Sequence, residues 1–510
     1  MTTNAATVIE LLGPGADDAT ALAAPGGTPL SYRQLRALVS DTVAALNAHG
    51  IGRGDRVAIV LDNGPHMAAC FLAVAAGATA APLNAGYRAD EFEFYLTDLR
   101  AALLIVEAGK DSPAVEIASK LGVPIARLAQ TPAKGAGSFT LAFSSGPGAT
   151  AAARPGAAAA DDEALVLHTS GTTSRPKIVP LLQRNICASA HNIRTTLVLT
   201  AADRALNIMP LFHIHGLIAG VMAPLSVGGM VSCSPGFNAL KFFGWMSEVK
   251  PTWYTAVPTM HQAILMRARN SLDVIRANPL RFIRSSSSSL PPQVLHELEE
   301  VFGAPVVEAY GMTEAAHQMA CNPLPPGIRK PGSVGLPAGP EVCILDDNGQ
   351  IVAPGVTGEI SIRGTNVMSG YESNPKANAE AFTNGWFRTG DQGVIDADGY
   401  ISLTGRLKEI INRGGEKISP REVDEVLMDH PSVAQCVTFA VPHDKLGEEV
   451  AVVVVLREGT ELTANELREF AAKRLADFKV PKKVLFRPEI PKGATGKLQR
   501  IGLAQKLGLA

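Results

Sequence analysis

The chain has 510 residues, 46% of them hydrophobic and 18% charged, with 46 basic against 48 acidic side chains and a formal net charge of −2. That length exceeds what one hydrophobic core serves, so at least two domains are expected. Near-neutral charge offers no general field for a nucleic acid or an anionic membrane, so an anionic substrate must be met by local positive groups. The six cysteines (Cys70, Cys187, Cys233, Cys321, Cys343 and Cys436) form no CxxC pair and no Cys/His cluster. That pattern argues against a disulfide framework or structural zinc and for a reducing compartment. The start, MTTNAATVIELLGPG, lacks a basic region leading into an apolar stretch, and the end, QKLGLA, is not the peroxisomal tripeptide. No run is apolar and long enough to span a membrane, so a cytoplasmic protein is expected.

In chain order, Ser31–His49 reads as a helix opened by a serine N-cap, with an apolar face through Leu35, Leu38, Val43 and Leu46. Asp55 and Arg56 lead into a strand Val57–Leu61, then a helix Met67–Ala76 and a strand Thr79–Leu83. This βαβ rhythm is expected to continue to about residue 400, giving parallel sheets covered by helices. Pro132–Ala160 is rich in Ala, Gly, Pro and Ser and reads as a surface connection. Asp398-Gly399 between apolar flanks predicts a hairpin over Asp396–Leu403. The polar, glycine-rich run GRLKEIINRGGEKISPREVD follows, and a boundary is placed here between a domain over 1–404 and a smaller one over 405–510. The smaller part offers a helix Pro420–Met428, strands Val433–Val441 and Val450–Leu456, and a helix Ala464–Leu475, enough for an α+β unit.

Six segments carry candidate chemistry. In HTSGTTSRPK (168–177), Ala164–Leu167 reads as a strand feeding Thr169, Ser170, Gly171, Thr172 and Thr173, and the segment closes on Lys177. Glycine lets main-chain N–H groups approach phosphate oxygens, hydroxyls add donors and Lys177 adds charge. Order and spacing differ from the GxxxxGK[ST] loop, and alone the string could be a polar turn. In PLFHIHG (210–216), His213 and His215 share one face if the segment is extended. They could donate to a carboxylate, bind metal or be inert, although no third metal ligand stands nearby. In EAYGMTEAAH (308–317), a strand at Ala304–Val307 leads to a glycine turn and to Thr313 and Glu314, at a strand's C-terminal end. Glu314 can hold Mg²⁺ beside phosphates; the bland alternative is a helix-capping pair. Asp391 in GWFRTGD (385–391) is a candidate acceptor for two ribose hydroxyls, although such an aspartate is commonly a turn residue. Arg406, Lys408 and Gly414-Gly415 lie in the polar run, and Lys497 lies in PKGATGKLQR (491–500); each alone would read as solvated surface.

Together and in order, from about Leu30 to Arg500, these segments resemble the AMP-forming adenylate-forming superfamily, which includes acyl-CoA synthetases, firefly-type luciferases and peptide-synthetase adenylation domains. The resemblance implies an α/β fold: a large N-terminal domain of stacked mixed and parallel sheets with helices, plus a small mobile α+β C-terminal domain. It implies that Thr169–Thr173 and Lys177 grip the β- and γ-phosphates. Glu308, Ala309 and Tyr310, with Ser285–Ser289, would flank adenine; Thr313 would bind the α-phosphate and Glu314 the Mg²⁺. Asp391 and Arg406 would hold ribose, Lys408 would be the hinge, and Lys497 would bridge the substrate carboxylate and the α-phosphate. Gly414, Gly415 and Glu416 would line a channel for the thiol of coenzyme A. The substrates implied are ATP, a small carboxylic acid and coenzyme A.

The strings PTWYTAVPT (251–259), LRFIRSSSSSL (280–290) and NRGGEKISP (412–420), with those above, resemble the oxalate–CoA ligases of plants and fungi. On that resemblance His213, His215, Ser287 and His317 line the acid pocket. Three imidazoles and a hydroxyl suit a second carboxylate on a very small acid, whereas long-chain or aromatic acids need apolar walls. His317, three residues beyond Glu314, would share its face on a helical turn. Another small acid, an adenylation module serving a carrier protein, and a non-catalytic nucleotide-binding regulator are the competing readings. Two residues depart from the pattern. Ser289 replaces a common proline. Ile178 stands where glycine is usual, and a β-branched residue there means either an ordinary β-like exit from the phosphate loop or a stiffer loop.

Overall fold

The computed structural model describes residues 4–144, 151–169, 176–492 and 498–510. Ser170, Gly171, Thr172, Thr173 and Lys497 therefore lie outside the described residues. The helix expected over Ser31–His49 runs Tyr32–Ala48, closed at its start by a reciprocal capping box. The Ser31 hydroxyl accepts from the Gln34 N–H at 3.3 Å, while the Gln34 amide oxygen accepts from the Ser31 N–H at 2.9 Å. Leu35, Val39, Val43 and Leu46 form its buried stripe, and Leu38 lies only at the margin.

Among the described residues the large domain holds three sheets. A seven-stranded sheet has a parallel centre: Ile125–Gln130, Leu103–Glu107, Arg56–Val60, Thr79–Pro82 and Glu163–Thr169. Its edges are antiparallel, formed by Phe139–Phe143 and Lys177–Leu182. A nine-stranded sheet likewise has a parallel centre, which includes Arg204–Asn207, Trp253–Ala256, Phe282–Ser286 and Val306–Met312. Helices such as Tyr32–Ala48, Pro65–Ala75 and Gln183–Thr196 supply apolar faces to a continuous core.

Two expectations are corrected. The segment 132–160 is not only a surface connection: Phe139–Phe143 pairs with Ile125–Gln130 as an edge strand, its Phe139 buried. The βαβ rhythm does not reach residue 400. After Met312 the chain turns back into the antiparallel strand His317–Cys321, and Glu341–Arg406 forms an antiparallel five-stranded sheet. Two of its connections, Asn384-Gly385 and Asp396–Tyr400, are too short for a crossover helix, so the strands they join run in opposite directions. The hairpin expected at Asp396–Leu403 is present, joining Trp386–Ile395 to Ile401–Arg406. Asp396 accepts from the N–H groups of Asp398 and Tyr400, and Gly399 takes φ +87°.

The smaller C-terminal part carries a sheet built on the long antiparallel pair Val433–His443 and Gly447–Leu456, covered by helices Pro420–Met428 and Ala464–Ala472. The six cysteines are buried free thiols. No helix among the described residues is long and apolar enough to cross a membrane.

Candidate active site

The candidate residues gather at the C-terminal ends of the parallel strands, where an open α/β sheet offers a crevice. Three neighbouring strands set the register: Thr255 faces Arg284, Ser285 faces Glu308 and Ser286 faces Ala309. The Ser286 hydroxyl donates to the Ala309 carbonyl at 2.8 Å and locks the two strand ends together. Glu308 is buried, and one of its oxygens accepts from the Leu290 N–H at 3.0 Å, tying down the serine-rich turn. Burial pushes its carboxyl up to about 7.

The structure joins His215, Ser287 and His317, three of the residues expected to line the acid pocket. His215 Nδ1 lies 3.0 Å from the Ser287 hydroxyl, and the His215 and His317 rings stack at 4.8 Å. The backbone routes differ from those expected. His213 and His215 are not on an extended segment: residues 211–213 turn, and His215 opens a π-helix over His215–Met222. Asn63 pins this turn, donating to the Met209 carbonyl at 3.0 Å and accepting from the Leu211 N–H at 2.7 Å. Gly216 is required where it stands, since a Cβ would come 2.3 Å from the Pro210 carbonyl oxygen. His213 Nδ1 accepts from the His215 N–H at 3.3 Å. Nor does His317 follow Glu314 on a helix. A single 3₁₀ turn Thr313–Ala315 is broken by Ala316 and His317, both at positive φ (+47° and +99°), and the chain doubles back. Gly311 admits this reversal, since a Cβ there would lie 1.9 Å from the His317 carbonyl oxygen. Ser287, at φ +74°, is a third non-glycine residue in the left-handed region around this pocket.

Beneath the imidazoles lies a residue the sequence reading did not single out. Arg284 is wholly buried; it donates to His215 Nε2 at 3.3 Å, to His317 Nε2 at 3.2 Å and to the Gln318 side-chain oxygen at 3.2 Å. Thr255 Oγ1 is 2.6 Å from His215 Nε2. The available signal was a lone charge between Phe282-Ile283 and the serine run.

The residues expected at the phosphates come from separate elements. Thr169 and Lys177 face each other on an antiparallel pair whose connection lies outside the described residues. Ile178 continues the strand opposite His168, so the β-like exit expected of a β-branched residue is what the chain adopts. The Lys177 ammonium sits 4.2 Å from the centre of the Tyr371 ring, and the Tyr371 hydroxyl donates to Glu314 Oε1 at 2.8 Å. Glu314 is buried, and burial raises its pKa against the opposing pull of Tyr371, Arg406 and Lys177. Tyr371 too was missed, being 57 residues from its partner. Its neighbour Glu372 pairs with Arg56, which also holds Glu163 at 2.8 Å, and the Glu372 N–H donates to the Ile178 carbonyl.

Asp391 and Arg406 are cross-strand partners 3.2 Å apart, and the Tyr310 hydroxyl donates to Asp391. Burial raises the Asp391 pKa, with Arg406 and Tyr310 opposing it. Thr313 is half-buried at the head of the 3₁₀ turn. Lys408 is exposed on a turn after Arg406, and Gly414, Gly415 and Glu416 are exposed at a hairpin tip of the small domain, the glycines at φ +62° and +99°. No group of three or more metal-ligating side chains occurs among the described residues. Glu314 is a single carboxylate, a donor suited to Mg²⁺ that keeps phosphate oxygens as its other ligands.

Known proteins match the chain along nearly its whole length. An AMP-binding enzyme model matches residues 14–372, and the AMP-binding enzyme C-terminal domain matches residues 422–497. The chain is 48% identical over 493 residues to an oxalate–CoA ligase of Arabidopsis thaliana, covering 96% of this chain and 95% of that one. It is 44% identical to an oxalate–CoA ligase of Saccharomyces cerevisiae, covering 89% of this chain and 87% of that one. The crystal structure of ATP-bound MatB from Rhodopseudomonas palustris superposes with a TM-score of 0.87 at 28% identity, over 99% of this chain and 98% of that one. The chain therefore belongs to the AMP-binding enzyme family, with its large N-terminal α/β domain and smaller C-terminal domain.

Proposed function

We propose that this protein is an AMP-forming acid–CoA ligase that converts oxalate, ATP and coenzyme A into oxalyl-CoA, AMP and diphosphate. The observation that carries the reading is the turn Thr313–His317. Glu314, linked through Tyr371 to Lys177, stands at one end of it, and His317, stacked on His215, stands at the other. One short turn thus separates a phosphate site from a polar acid site, which is the juxtaposition that adenylation of a small carboxylic acid needs.

A carboxylate is a poor acyl donor because oxide is a poor leaving group. Attack of a carboxylate oxygen on the α-phosphorus forms an acyl-AMP and expels diphosphate; the thiol of coenzyme A then displaces AMP. On this reading Lys177, Thr169, Ser170, Gly171, Thr172 and Thr173 hold the β- and γ-phosphates. Thr313 meets the α-phosphate, and Ala309 and Tyr310 flank adenine beside the turn that Glu308 braces. Asp391 and Arg406 hold the ribose. Glu314 would hold Mg²⁺, which supplies charge neutralisation on the phosphates. Lys497 supplies a donor to the charge gathering in the in-line step, and one preorganised donor of this kind contributes roughly 3–4 kcal/mol. His213, His215, Ser287 and His317 receive the acid. The small domain, beginning near residue 405, turns about Lys408 between the half-reactions and brings Gly414, Gly415 and Glu416 to the thiol.

The test is diphosphate release from the purified protein with ATP, Mg²⁺, coenzyme A and one acid at a time. Oxalate is expected to give the fastest release and a coenzyme A thioester. Equal release with acetate, malonate or coumarate would overturn the substrate assignment.

A further inference from the structure

Arg284 meets no carboxylate among its contacts, although it is wholly buried at the centre of a parallel sheet. A buried charge normally comes with a counter-ion. Burial lowers its pKa to about 10, which leaves it charged at neutral pH. Its two terminal nitrogens each address an imidazole Nε2, of His215 and of His317. A guanidinium has donors only. Both Nε2 atoms must therefore accept, and each ring must carry its proton on Nδ1. Thr255 fits the same polarity, since its hydroxyl can accept from Arg284 at 3.4 Å and donate to His215 Nε2 at 2.6 Å, sharing that one lone pair with the longer Arg284 contact. His215 Nδ1–H then donates to the Ser287 oxygen at 3.0 Å, which leaves the Ser287 hydroxyl hydrogen to donate elsewhere.

We propose that Arg284 is the positioning residue that makes the acid site select a dianionic dicarboxylate. It fixes His215 and His317 as Nδ1–H donors and contributes a buried positive charge, which the distal carboxylate of the acid compensates. A monocarboxylate leaves that charge without a partner, so selectivity comes from the substrate completing the ion pair. This inference rests on the assignment of His215, Ser287 and His317 to the acid pocket.

The experiment uses the full-length protein with Arg284→Gln and Arg284→Lys. With Arg284→Gln, the KM for oxalate is expected to rise at least tenfold and the preference for oxalate over acetate to fall by at least the same factor, while the KM for ATP changes less than twofold. Lysine keeps the charge but cannot fork to two rings, so Arg284→Lys should retain part of the preference. The second readout needs no substrate: imidazole ¹⁵N spectra should show His215 and His317 as Nδ1–H tautomers in the native protein, with at least one ring losing that state in Arg284→Lys. Unchanged tautomers, or an unchanged oxalate-to-acetate ratio in either variant, would overturn the proposal. A native enzyme that prefers a different acid would refute the oxalate assignment instead, and the tautomer measurement would still decide the part played by Arg284.

Discussion

The two ends of the proposed site are built differently. The acid end is a self-contained piece of one sheet: Thr255, Arg284, His317 and Gln318 sit on strands of the nine-stranded sheet, His215 packs against them, and every one of these side chains is buried. The phosphate end is assembled from distant parts. Lys177 comes from the edge of the other sheet, Glu314 from a 3₁₀ turn and Tyr371 from a connection before the helix Pro375–Ala381. On the proposed reading Lys497 joins them from the C-terminal domain match over 422–497. A buried, hydrogen-bonded network in a sheet centre has one arrangement and suits discrimination. A site assembled across elements can be made and unmade between two half-reactions, which suits a group that acts in only one of them.

The largest effect that tests this contrast is expected from Lys497→Ala. It should lower formation of the acyl-adenylate by roughly 10²–10³, the range for loss of one preorganised donor, yet spare thiolation of preformed oxalyl-AMP. Separate assays of the two half-reactions check this. Equal loss in both would mean that the phosphate end does not change between steps, and the contrast would fail.

Next in size is a stability effect at the acid end. Glu308 braces the turn after Ser287 through the Leu290 N–H, and burial lifts its carboxyl from 4.5 to about 7. Because the folded value lies above the unfolded one, its contribution is fully present below about pH 4.5 and is lost as pH rises through 7. A shift of that size corresponds to about 3 kcal/mol. Glu308→Gln keeps an acceptor for Leu290 but cannot ionise. Its stability relative to the native protein should therefore climb between pH 4.5 and 7 and level off above, as read by denaturant unfolding at each pH. Parallel curves would show that the Glu308 carboxyl does not titrate differently in the folded protein.

Much of this architecture can be read from local strings. Ser31 and Gln34 announce a helix start because both halves of a capping box lie within one turn. Ile178 demands an extended exit because its side chain is branched. What escaped depends on partners far apart in sequence. Arg284 went unmarked because its partners are distant, His215 69 residues before it and His317 33 after it. His317 was expected on a helix, since nothing in its spacing signals two successive left-handed residues, and only the clearance at Gly311 makes that turn possible. The antiparallel sheet over 341–406 was read as more βαβ because strand-like runs do not state their direction.

The smallest predicted effect separates two uses of one side chain. The ring of Tyr371 carries the Lys177 ammonium, and its hydroxyl hydrogen-bonds Glu314. Tyr371→Phe removes only the hydroxyl. The ring stays under Lys177, and Glu372 still ties the segment to Arg56 and to the Ile178 carbonyl, so the KM for ATP should change little. The Glu314 carboxylate loses a donor, and a hydrogen bond to a charged group contributes about 1.5–3 kcal/mol, so kcat/KM should fall by roughly ten- to a hundredfold. If the hydroxyl positions Glu314 for Mg²⁺, that loss should appear as a higher Mg²⁺ requirement, read from initial rates against free Mg²⁺ at saturating ATP. A fall that Mg²⁺ does not modify would place the hydroxyl in folding rather than in the phosphate site. It would also make the phosphate end as rigidly prearranged as the acid end.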